Sequence, residues 1–263
     1  MDVWSIFFDP LKKIKKRLQH YGATSNHWCI RRSRETSAFP IDFTYHGCLR
    51  NHKNLALVLE GFFVTNFFTM LLAFIGALLV DHLPMIPKNS VFVITSGIIS
   101  PVLAITYLWL RTGYVPRILS SDTTPYALAG IIVIWLFLAI SYLFYGPNDL
   151  IFKKYVSTQG AYKYLGLFSL VIWAPITEET IFRGYFLGIL MKSYGKIISL
   201  TISALLFIAL HVNLASPTVT IEWFVSLFVY SLVVGVVYIQ AGLASAVMVH
   251  MFSNFYYCFY LSQ

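Results

Sequence analysis

Seven nearly uninterrupted apolar runs divide this chain and leave it few ways to fold. They cover Leu55 to Val80, Val91 to Leu110, Ala127 to Tyr145, Leu165 to Leu190, Ile197 to Val212, Phe224 to Gln240 and Leu243 to Leu261. About 20 helical residues cross roughly 30 Å of hydrocarbon, and most of the runs are of that order. They do not alternate apolar with polar residues as barrel strands would, and a helix satisfies every backbone N–H and C=O within its own segment. The expectation is an all-α, polytopic membrane bundle of seven to eight transmembrane helices. Composition agrees, since 58% hydrophobic and 11% charged residues lie far from a water-soluble domain's balance.

Basic residues give the bundle an orientation. Of the 19 Lys and Arg, ten precede the first run, from Lys12 to Lys53. With that end cytoplasmic, fourteen fall inside and four outside, while Arg183 lies within a run. Residues 1–54 read as a basic amphipathic segment, cytoplasmic or interfacial, with Trp4, Phe7, Phe8, Leu11, Ile14 and Leu18 at helical spacing around Lys12 to Arg17. A basic tail that only enforces topology is the alternative. Residues 55–263 form the transmembrane domain, and the first span, with no cleavable signal pattern before it, serves as the insertion signal. Loops flanking the spans account for the net charge of +8, so no nucleic-acid partner is expected. The three cysteines, Cys29, Cys48 and Cys258, are too scattered for a disulfide framework or a zinc finger.

Ionisable groups inside the runs ask for a reason, because a charge at the bilayer centre costs about 2.5–3.5 kcal/mol even on lenient scales. Glu60 lies near one end of the first run and reads as a snorkelling or helix-pairing carboxylate. The fourth run holds Glu178, Glu179 and Arg183; the fifth ends near His211; the seventh carries His250 and Asn254. Glu179 and Arg183, four apart with the acid first, are spaced for an ion pair within one helix. Glu178 points about 100° away and has no local partner. Counted from a turn at Ser193 to Gly195, Glu178 and His211 fall at the same depth of an antiparallel hairpin, about 21–23 Å from it at 1.5 Å per residue. His250 and Asn254 share one helical face.

Together these residues point to amide hydrolysis. Glu178 and His211 would activate water, and His250 and Asn254 would stabilise the tetrahedral intermediate. The same set could instead hold zinc through Glu178, His211 and His250. The metalloprotease pattern of two histidines on one helix beside a glutamate is absent from the sequence.

In order and spacing, "EETIFR" (Glu178, Glu179, Arg183), "FIALH" (Phe207, His211) and "HMFSN" (His250, Asn254) resemble the CPBP family. This is the Abi family of intramembrane proteases, which includes the CAAX prenyl endopeptidases. The resemblance covers about residues 165–258. It implies a helical protease with a water-filled cavity between helices. In that family the first motif glutamate and the first histidine activate water, and the last histidine and the asparagine form the oxyanion site. Those roles fall here on Glu178, His211, His250 and Asn254, with Glu179, Arg183 and Phe207 in support. A glutamate-driven reaction without a cofactor is preferred to a zinc-dependent one. The prenyl protease has eight spans where this chain shows seven strong ones. The resemblance further implies a membrane-associated or lipidated peptide or protein as substrate. The compact "FRGYFLGIL" continuation looks more like the bacterial branch, hence a bacterial inner membrane. Two other readings stay open. One is a non-proteolytic bacteriocin-immunity or partner-binding protein of the same fold. The other is a transporter, disfavoured by the lack of paired half-helices or related halves.

Overall fold

The computed structural model describes residues 45–80, 82, 91, 93–119, 123–145, 161–214 and 221–260. Residues 1–44 of the amphipathic segment expected over 1–54 lie outside the described residues, as do residues 146–160. Every apolar run is helical, and no strand occurs among the described residues. The first helix, α1 (Tyr45–Leu79), begins ahead of the apolar run, so the line drawn at residue 54 falls inside it. A π-helical turn, π1 (Val93–Ile99), leads into α2 (Ser100–Thr112), and α3 covers Thr123–Tyr145. The helix with the two glutamates is built in four pieces: α4 (Ala161–Phe168), π2 (Ser169–Trp173), α5 (Ala174–Glu179) and π3 (Thr180–Leu187). It continues into α6 (Gly188–Leu214), followed by α7 (Ile221–Ala241) and α8 (Leu243–Tyr260).

Among the described residues four segments are long and apolar enough to cross a bilayer: His52–Leu79, Ile94–Thr112, Tyr164–Val212 and Trp223–Ala241, with a shorter apolar stretch at Thr124–Phe137. The third holds two of the expected runs. It breaks at Gly195, whose φ of 70° and ψ of 174° interrupt the helix. A side chain strains at such a positive φ and glycine does not. The two arms then pack on each other, Phe182 and Phe207 meeting edge to face at 5.1 Å.

Ile181 to Leu190 are buried without exception, so the glutamate-bearing helix is the centre of the core. Phe182, Phe186 and Leu187 pack there with Phe207 of α6, Val234 of α7 and Val249 of α8. Helix α1 is two-faced. Val58, Gly61 and Thr65 turn inward, while Phe63, Phe67, Met70 and Phe74 stand 60–67% exposed. Such a stripe suits contact with acyl chains, where apolar surface costs nothing to leave uncovered. Glu60 is the helix-pairing carboxylate expected of it: it receives Arg111 Nε at 2.8 Å and the Tyr107 hydroxyl, both from α2.

The segment after α2 binds the far end of the bundle. Gly113, left-handed at φ 61°, closes α2. The chain then runs under α8, where the N–H groups of Leu243 and Ala244 donate to Arg117 O and Ile118 O at 2.9 and 3.0 Å. These are first-turn donors that a helix cannot satisfy itself. Arg117 returns two hydrogen bonds, from Nη2 to the carbonyls of Tyr238 and Ile239 at the end of α7.

Candidate active site

Three helical pieces bring the polar residues together. Glu178 and Glu179 end α5, His211 lies in the last turn of α6, and His250 and Asn254 are on the inner side of α8. The two glutamates differ sharply. Glu179 is fully buried, whereas the Glu178 and His211 side chains each keep a quarter of their surface exposed. The 100° between neighbours on one helix produces this split.

Glu178 and His211 face each other across the hairpin, with Oε2 3.7 Å from Nε2. That is too long for a direct hydrogen bond. His211 Nδ1 lies 2.8 Å from Phe207 O, and a carbonyl can only accept, so Nδ1 carries the proton. In the neutral ring Nε2 is then an acceptor, turned toward a second acceptor. Glu178 Oε2 is itself buried and receives no donor from the described residues.

Glu179 is the hub of the buried side. Its Oε1 lies 2.8 Å from His250 Nδ1, and its Oε2 lies 3.1 Å from Arg183 Nε. The second contact is an ion pair whose alignment is poor for a hydrogen bond. Arg183, 1% exposed, donates from Nη2 to Ser231 Oγ at 3.0 Å and Ser231 O at 3.3 Å. Its guanidinium carbon also sits 4.5 Å from the centre of the Phe207 ring. A buried charge costs several kcal/mol in desolvation, and these four contacts are what offsets it. An ionised Glu179 can only accept, so His250 also carries its proton on Nδ1. His250 Nε2 therefore donates only when the ring is an imidazolium.

Asn254 is held separately, its Nδ2 donating to Leu170 O at 2.9 Å. Phe207 is more than packing: its ring contacts Arg183, His211 at 4.3 Å and Phe182, with Tyr230 and His250 just beyond. The structure thus joins Glu178 to His211, and joins Glu179 to both Arg183 and His250. Sequence reasoning gave Glu179 one partner and missed its second, seventy-one residues away. Ser231, Tyr230 and Leu170 also escaped it, and nothing in their surroundings in the chain marks them. The donor set Glu178, His211 and His250 does not fit a metal in this arrangement. Among the described residues no three His, Cys, Asp or Glu side chains stand close enough to share one ion.

A helical membrane bundle with carboxylates, imidazoles, an amide and a guanidinium gathered between its helices is the class this fold and site define. Residues 160–256 match the family model described as type II CAAX prenyl endopeptidase Rce1-like. Over that stretch the chain is similar to this CPBP protease family, in agreement with the resemblance read from the three motifs. Searches of curated proteins and of solved structures returned no match.

Proposed function

We propose that the protein is an intramembrane endopeptidase that hydrolyses a peptide bond of a membrane-associated or lipidated substrate with water activated by Glu178 and His211. One observation carries the reading: two acceptors, Glu178 Oε2 and His211 Nε2, face each other at 3.7 Å on the part-exposed side of the cluster. Two lone pairs so placed repel unless a donor comes between them, and water is the donor with a hydrogen for each. A water held by both hydrogens leaves its oxygen lone pairs for a carbonyl carbon. Its proton passes to Glu178 or His211 as the C–O bond forms. Breakdown of the tetrahedral intermediate returns that proton to the leaving nitrogen.

His250 and Asn254 act on the other side of the scissile carbonyl. The Nδ1 contact with Glu179 fixes the His250 ring, and its Nε2, when protonated, donates to the oxyanion alongside the Asn254 amide.

The family supports a protease as such, while the substrate's lipid is a matter for experiment. The protein reconstituted in liposomes is expected to cleave one of two fluorogenic membrane peptides, one prenylated near its C-terminus and one with a transmembrane anchor only. Cleavage of neither, by folded protein, would overturn the proposal.

A further inference from the structure

The carbonyl of Leu170 lacks the main-chain donor that the register of its helix would give it. In a π-helical turn each carbonyl pairs with the N–H five residues on. Within π2 this register is visible, the N–H of Ala174 bonding to Ser169 O. The next carbonyl in the series, Leu170 O, would pair with residue 175. That residue is a proline and has no N–H. The donor that arrives instead is Asn254 Nδ2, from a helix 84 residues away in sequence. A second carbonyl of this helix, Phe182 O in π3, also accepts from a side chain of another segment, Ser203 Oγ at 2.8 Å.

A side-chain amide nitrogen has two N–H bonds. One is committed to Leu170 O, which fixes the plane of the Asn254 amide. The other is left to donate elsewhere. We propose that Pro175 is a positioning residue for Asn254: by withholding an N–H from Leu170 O it keeps the main chain from competing with Asn254 for that carbonyl, and so aims the second amide N–H. An alanine at 175 would supply a main-chain donor within reach of Leu170 O, which competes with the Asn254 tether. The catalytic consequence rests on the reading of Asn254 as an oxyanion donor; the tether itself does not.

The experiment separates the two. In full-length protein with ¹⁵N-labelled asparagine, the Asn254 amide signal is identified by its loss in Asn254→Ala. One of its hydrogens is expected to exchange slowly and the other fast, and in Pro175→Ala both become fast. Two fast hydrogens in the unmutated protein would overturn the tether even if Pro175→Ala failed to fold. In reporter cleavage, Asn254→Ala is expected to lower kcat on the order of 10²-fold. Pro175→Ala should lower kcat at least about tenfold with KM little changed, and the double variant should be no slower than Asn254→Ala alone. Losses that multiply would overturn the positioning role. A tethered amide in a protein that cleaves nothing would leave the tether standing and sink the protease reading.

Discussion

Arg183 is the largest fully buried side chain among the described residues, and its surroundings decide what a substitution near it does. Removing one partner of a buried pair leaves an uncompensated charge, at a cost of about 3–5 kcal/mol. Glu179→Gln keeps the volume but removes that partner, so the thermal midpoint in detergent should fall accordingly. Glu178→Gln, on the quarter-exposed side, should leave the midpoint nearly unchanged. Equal destabilisation by the two would refute the split between a structural and a chemical glutamate. The difference in burial and the Glu179–Arg183 pair were legible in the sequence, because adjacent helical residues diverge and Arg183 lies four beyond Glu179. The link from Glu179 to His250 was not, since spacing within one helix carries no information about a third.

At the level of elements, the sequence shows where helices run and turn but not how they are wound. The apolar runs and the turn at Ser193 to Gly195 were readable. The π-helical turns at Val93–Ile99, Ser169–Trp173 and Thr180–Leu187 were not, because no apolar period distinguishes them from α-helix over so few residues. They matter because they re-aim carbonyls toward side chains of other helices. The two turn glycines yield a graded prediction. A Cβ at Gly195 would meet only open space, so Gly195→Ala adds backbone strain alone, about 1–3 kcal/mol at φ 70° and ψ 174°. At Gly242, with φ 90°, a Cβ would also lie 2.9 Å from Ile118 O, the carbonyl that caps α8. Gly242→Ala should therefore destabilise more than Gly195→Ala, measured as loss of thermal midpoint in the same detergent. Equal losses would show that the 113–119 segment yields rather than clamps.

Over the described residues, the bundle carries a polar, charged cluster between its helices and an apolar, exposed stripe suited to lipid on α1. A bundle of this kind keeps Arg183, Glu179 and His250 nearly solvent-free while Glu178 and His211 stay within reach of water. That division is what a hydrolase working on membrane-held chains requires: water admitted at one pair, charge held dry at the other. The central claim is that Glu178 activates water, and turnover by Glu178→Gln tests it most directly. The variant and the unmutated protein are compared in the same liposomes with the same cleaved reporter, after matching their thermal midpoints. The amide cannot take a proton from water, so kcat is predicted to fall by at least about 10³-fold. Turnover within tenfold of the unmutated protein would contradict it.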